Sequence, residues 1–180
     1  MTDDAARERE LIAAARNGSS AAFAALVRAH QHRVRGFLWR ASGNQADADD
    51  LAQETFLSAW LQLRNYRQES RFATWLCAIA YRKLLMRRRA GARSRLREEA
   101  AGEEMSGAAP GGSDLRLDVQ RAVEGLSVEQ RSVAALCLAS DFSQSEAAAA
   151  LGIPLGTVKS HVARCRERLR EFLGEYNDAN

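Results

Sequence analysis

Apolar side chains recur along most of this chain three and four residues apart, the spacing that lines one face of an α-helix, and nowhere alternate as a half-buried strand requires. The pattern predicts a short helix over 7–16, stopped by Asn17 and Gly18. Ser19 or Ser20 caps a second helix that runs to about Arg40, with Phe23, Leu26, Val27, Val34, Phe37 and Leu38 mostly on one stripe. After the interruption at Ser42, Gly43 and Asn44, a third helix is expected over 46–63 and a fourth over 72–89, joined by a loop from Asn65 to Arg71. Periodicity then stops in GEEMSGAAPGGS, residues 102–113, which reads as a flexible linker. Shorter amphipathic stretches follow at 115–124, 128–138, 144–151 and 155–173, and Ser143 with Glu146 forms the S-x-x-E box that opens the third of them. The expectation is an all-α protein of two small helical domains, residues 1–97 and 115–180, joined by a linker over 98–114.

Composition agrees with helices: Ala, Leu, Arg and Glu dominate, and the only prolines are Pro110 and Pro154. The net charge of +3 matters less than where the charges sit. Between residues 71 and 97 the chain carries Arg71, Arg82, Lys83, Arg87, Arg88, Arg89, Arg93, Arg95 and Arg97 and no acid, a stretch suited to a polyanion. Cys77, Cys137 and Cys165 are far apart, with no CxxC pair and no His at ligand spacing, so neither a metal nor another cofactor is expected. They read as reduced thiols of a cytoplasmic protein. The first residues lack the apolar centre of a signal peptide, and no run approaches the roughly 18 apolar residues of a membrane span, so membrane insertion is not expected.

The third predicted helix has two unlike sides. Ala48, Leu51, Ala52, Thr55, Phe56, Ala59, Trp60 and Leu63 gather on a core side, whereas Asp50, Gln53, Glu54, Leu57 and Leu61 share the opposite arc. Leucines beside carboxylates suit docking: apolar area supplies affinity and charge sets register against a basic partner. A solvated face with two stray leucines is the plainer alternative. The acids Asp47, Asp49, Asp50 and Glu54 also invite an enzymatic reading, but no second cluster of acids or histidines completes a catalytic site.

The fourth helix places Phe72, Trp75, Leu76, Ile79, Ala80 and Met86 on a core stripe and leaves Thr74, Ala78, Tyr81, Arg82, Leu85, Arg88 and Arg89 facing outward. Bases interleaved with an aromatic suit phosphate contact and base stacking. Near the end of the chain, SQSEAAAALGIPLGTVKSHVARCRERLREFL has the parts of a helix-turn-helix: a capped helix of small residues, Gly152 at the turn, and Pro154 before a second helix. Val158, Val162, Cys165, Leu169 and Leu173 line the buried side of that second helix. Thr157, Lys159, Ser160, Ala163 and Arg164 remain on the outer surface that enters the major groove in this motif. A redox role for Cys165 is therefore a second choice. His30 and His32 do not share a helix face and read as incidental, and His161 reads as a surface residue.

These segments resemble a known family. DADDLAQETFLSAW, residues 47–60, is similar to the polymerase-binding helix of bacterial sigma factors; FATWLCAIAYRKLLMRRR, residues 72–89, resembles the helix that reads the −10 promoter element; LGIPLGTVKSHVARCRERL, residues 151–169, resembles the helix-turn-helix that reads the −35 element. The size of the chain places the resemblance in the extracytoplasmic-function group, which keeps only these two domains. The resemblance implies a non-enzymatic subunit that directs core RNA polymerase to promoter DNA. Asp50, Gln53, Glu54 and Leu57 would meet the clamp helices of the largest subunit, and the C-terminal domain would seat on the flap of the second-largest. It implies a −10 surface of Arg71, Thr74, Trp75, Ala78, Tyr81, Arg82, Leu85 and Arg88, with the loop from Asn65 to Arg71 capturing an unstacked base. The −35 surface would comprise Thr157, Lys159, Ser160, Ala163 and Arg164. An anti-sigma partner follows from the same analogy. The chain departs from the family at Ala78 and Ile79, where housekeeping members carry an aromatic pair, and at Arg82 and Met86, so its −10 sequence preference is open. The competing expectation is a helix-turn-helix regulator that binds operators without polymerase.

Overall fold

The computed structural model describes residues 2–101 and 125–178, and every regular element among them is helical. Helix α1 (Thr2–Arg16) starts earlier than periodicity suggests, because its leading acids, Arg and Ala continue a helix without needing an apolar face. It buries Ile12 and Ala15 and stops at Gly18, whose φ of 95° favours glycine. Helix α2 (Ser20–Ser42) is capped by the Ser19 hydroxyl, which accepts from the Ala22 amide, and is closed by Gly43 in the left-handed region. Helix α3 (Gln45–Gln62) is capped by Asn44 and passes through a 3₁₀ turn, Leu63–Asn65, into the connecting loop. Helix α4 (Phe72–Ala101) runs well past its predicted end, since the Arg- and Ala-rich segment is a good helix former and the lone Gly91 costs only about 1 kcal/mol.

The second half contributes α5 (Val128–Cys137), α6 (Gln144–Leu151) and α7 (Leu155–Asp178). Reciprocal capping boxes open α5, through Ser127 and Gln130, and α6, through Ser143 and Glu146, so the short helices begin with their first amides satisfied. The expected linker is corrected at its start, where residues 98–101 belong to α4; the remainder, and the expected helix over 115–124, lie outside the described residues.

Helices α1 to α4 pack on one another, and α5 to α7 form a second cluster. The two are in contact. Helix α5 lies on α2 and α6 lies on α4, so the apolar core runs without a break from Ile12 and Phe37 through Leu76 to Val133, Leu136 and Val158. His30, read as incidental, is buried: its Nε2 meets Glu8 Oε1 at 2.8 Å and its ring packs edge-on to Phe72. Burial lowers its pKa, with the Glu8 carboxylate acting in the opposite sense.

The two sides of α3 give a direct comparison of stability. Leu51 is 1% exposed and Leu57 is 63% exposed. Denaturant unfolding should register a loss of about 3 kcal/mol for Leu51→Ala and less than about 0.5 kcal/mol for Leu57→Ala.

Candidate nucleic-acid interface

The face of α3 opposite the core is open, with Asp50, Gln53, Glu54, Leu57 and Leu61 all exposed. Its carboxylates are engaged by α4. Arg87 Nη1 donates to Asp47 Oδ1 at 3.1 Å and lies 3.6 Å from Asp50 Oδ2, while Nη2 donates to Glu54 Oε1 at 2.9 Å. Lys83, one turn earlier on the same side of α4, reaches the other Glu54 oxygen at 3.4 Å. Against its partial burial, the hydrogen bonds to Asp47 and Glu54 and their negative charge hold the Arg87 guanidinium above its usual pKa. The basic run therefore divides: Lys83 and Arg87 turn toward α3, Arg82 and Arg89 face solvent, and Arg88 donates to the Ser42 carbonyl at the end of α2.

The outward face expected for α4 needs correction at several positions. Thr74 and Tyr81 are buried, at 2% and 4% exposure, and Ala78 and Leu85 are half-buried. These four form one stripe along the helix, and α6 packs over α4. The apolar and aromatic character that suggested base stacking is here satisfied within the chain. Burial raises the Tyr81 pKa, helped by the nearby Glu129 carboxylate from α5. Met86, expected in the core, is 67% exposed, because the core stripe drifts around the helix and closes on Leu84 instead. An ion pair locks the same contact at one end: Arg71 Nη1 donates to Glu146 Oε1 at 3.1 Å. Although burial opposes it, hydrogen bonds from the Ser143 amide and hydroxyl and from Arg71 hold the Glu146 carboxyl below its usual pKa.

The loop before α4 is more ordered than its composition suggests. Tyr66 is buried, donates its hydroxyl to the Ser70 carbonyl at 2.7 Å, and packs against Phe72 and Trp75 with centroids 5.4 and 5.0 Å away. Burial pushes the Tyr66 hydroxyl up to about 12, so it donates as a neutral phenol. Trp75 is half-buried in this cluster, and the loop presents Arg71 from a fixed frame. Sequence reading missed Tyr66 because an aromatic in a polar loop has no period to declare it.

In α7, Val158, Val162 and Cys165 are buried and Leu169 is half-buried, as the helix-turn-helix expects, while the side chain of Leu173 lies outside the described residues. Lys159, Ser160, Ala163 and Arg164 are exposed and Thr157 is half-buried. Gly152, at φ 67°, makes the turn between α6 and α7. His161 is not the surface residue expected: it is half-buried and its Nε2 meets Glu129 Oε1 at 2.8 Å, tying α7 to α5. Burial raises the thiol pKa of Cys77 to about 12 and those of Cys137 and Cys165 by less, which suits packing rather than reactivity. Among the described residues there is no cluster of three potential metal ligands, and no helix is long and apolar enough to cross a membrane.

Family models match both halves: Sigma-70 region 2 over residues 26–94 and Sigma-70, region 4 over residues 116–169. Curated relatives agree over nearly the whole chain. The sigma factor CarQ of Myxococcus xanthus is 36% identical across 89% of this chain and 94% of its own length. The extracytoplasmic-function sigma factor SigM of Mycobacterium tuberculosis is 33% identical across 94% of this chain and 86% of its own. The chain is an extracytoplasmic-function sigma factor of the sigma-70 family. A 38% identical relative, SigE of Mycolicibacterium smegmatis, is longer, and this chain spans 62% of it. Two solved structures share the fold. RpoE of Bartonella quintana, in complex with the anti-sigma factor NepR, aligns at a TM-score of 0.72 and 31% identity over 84% of this sigma factor and 96% of that chain. CnrH, in complex with the cytosolic domain of CnrY, aligns at 0.70 and 27% identity over 94% and 98%.

The Arg71 to Glu146 pair makes the closed contact testable. Glu146→Gln keeps an oxygen for the capping box but removes the charge facing Arg71. Solution scattering should show a larger mean radius of gyration with unchanged helix content, for a population shift of up to about fivefold. An unchanged radius would assign the closure to apolar contact alone.

Proposed function

We propose that this sigma factor binds core RNA polymerase through the exposed side of α3, with Asp50, Gln53 and Glu54 answering basic residues of the largest subunit's clamp helices and Leu57 supplying apolar contact. The observation that carries the reading is the division of α3 into a buried apolar side and an open side holding exposed leucines among carboxylates. A solvated face has no use for Leu57 and Leu61. The C-terminal domain, starting near residue 115, seats on the flap of the second-largest subunit, and the N-terminal domain extends through α4 to Ala101. Promoter DNA is then read twice. Lys159, Ser160, Ala163 and Arg164 at the open end of α7, with Thr157 beside them, meet the −35 element. Arg71, Thr74, Trp75, Ala78, Tyr81, Arg82, Leu85 and Arg88 meet the −10 element.

The second reading requires movement. Thr74 and Tyr81 lie beneath α6 in the free chain, so α6 must leave α4 before the −10 surface can take up single-stranded DNA. Docking of the two domains on separate sites of the polymerase supplies that separation. The ordered loop around Tyr66 then offers Arg71 and the edge of Trp75 to an unstacked base, and opening is favoured because the flipped base gains contacts a duplex cannot offer. The protein acts in the cytoplasm, takes no cofactor and catalyses nothing; phosphodiester chemistry belongs to the polymerase. An anti-sigma factor covers the exposed α3 leucines when the signal is absent, a proposal supported by the two structural neighbours solved with anti-sigma partners.

Asp50 is the best probe of docking, since its side chain is 66% exposed and its ion pair with Arg87 is the longest of the set at 3.6 Å. Asp50→Arg should weaken binding to core polymerase about tenfold while leaving the melting temperature unchanged. Equal competition for core by wild type and variant would remove α3 as the docking surface and favour a regulator that works without polymerase. Arg164→Ala should lower transcription from −35-dependent promoters about tenfold with core binding intact; transcription that persists at the wild-type level would take Arg164 out of the readout.

A further inference from the structure

Arg87 sits between the two surfaces just assigned. One guanidinium serves Asp47, Asp50 and Glu54, which fall on a single side of α3, and Lys83 completes Glu54. Two cations thus stand against three carboxylates in the free chain. That arrangement mutes the negative field which a basic partner would sense, because the charges nearest the acids are the chain's own. Arg87 and Lys83 also belong to the DNA-reading helix. Exposed Arg89 and Arg88 lie immediately beyond Arg87, so a small rotation of its long side chain carries the guanidinium from α3 toward the strand that those arginines would track. None of the pairs is deeply buried: the Arg87 side chain is 35% exposed, and its acids between 45% and 66%. Such pairs exchange partners readily.

We infer that Arg87 is a positioning residue that changes partners: it neutralises the docking acids in the free chain and is released to a DNA backbone phosphate when basic residues of the polymerase take those acids over. The inference rests on the docking role proposed for α3. Its consequence is reciprocal. Polymerase binding frees a phosphate contact, and DNA that draws Arg87 away uncovers Asp47, Asp50 and Glu54 for the polymerase, so each ligand strengthens the other by the same factor. A fixed buttress would behave in the opposite way, holding the carboxylates in register and losing core affinity when removed.

The test uses the full-length protein, core polymerase and a mixed-sequence 30-base-pair duplex, with Arg87→Gln and Asp47→Asn as variants. Asp47 anchors Arg87 but is outside the proposed docking set, so its substitution loosens the guanidinium without deleting it. Arg87→Gln should bind core about threefold more tightly than wild type, as the acids are unmasked. Its holoenzyme should lose about one unit from the slope of log affinity for the duplex against log salt, the signature of one missing phosphate contact. Asp47→Asn should also tighten core binding but keep the wild-type slope. Weaker or equal core binding by Arg87→Gln, or an unchanged slope, overturns the exchange. Should Arg87→Gln fail to fold, the Asp47→Asn core affinity decides: no gain sinks the inference. Indifference of core binding to Asp50→Arg would instead overturn the docking assignment beneath it.

Discussion

A helix that carries apolar side chains on two sides must find two partners, and α4 does. Leu76, Ala80 and Leu84 bury against the N-terminal helices, while Thr74, Ala78, Tyr81 and Leu85 lie against α6 from the other half of the chain. In a soluble protein neither side tolerates long exposure. The closed arrangement of the two halves follows from this constraint, as does the position of α5 on α2, which is carried there with α6. The same second side that needs covering in the free chain is the one that offers aromatic and apolar contact to unstacked bases. Folding and DNA reading thus use one surface at different times.

Charge then decides which surfaces remain available. The acids of α3 and the bases of α4 meet along a shared seam through Arg87 and Lys83, so neither helix shows solvent the full charge written in its sequence. The exposed remainder is split by position: leucines and carboxylates on α3, Arg82 and Arg89 on α4, Lys159 and Arg164 on α7. Each is separated from the others by buried helix. The arrangement allows one small protein to address a protein partner and two DNA segments without those contacts competing for the same side chains.

Helix identity and the faces of α3 were legible in the sequence because both follow from period: Leu51, Thr55 and Ala59 recur on the inside, and Leu57 and Leu61 break the pattern on the outside. The capping box at Ser143 and Glu146 and the left-handed turn at Gly152 were equally readable, since each rests on neighbours a few residues apart. What could not be read was pairing between distant segments. Arg71 and Glu146 are 75 residues apart, and nothing local in either announces the other. The same holds for His161 with Glu129 and for Arg87 with the α3 acids. Tyr81 and Thr74 were assigned outward correctly with respect to their own domain and are nonetheless covered, because helical periodicity says which side leaves a core and not what arrives on it. Met86 was misplaced for a related reason: one turn beyond Leu84 the core ends, and a stripe drawn by period alone does not know where its partner helix stops.

The Thr74 hydroxyl is buried between α4 and its cover and makes no hydrogen bond. A polar group left dry in this way costs about 1 to 3 kcal/mol, which water returns as soon as the two helices part. The seam therefore carries its own solvent-driven incentive to separate, acting against the apolar contact that closes it. Such a joint is built as a latch and not as a weld: sealed enough to shield an oily surface in transit, and loose enough to be undone by a partner that grips both halves.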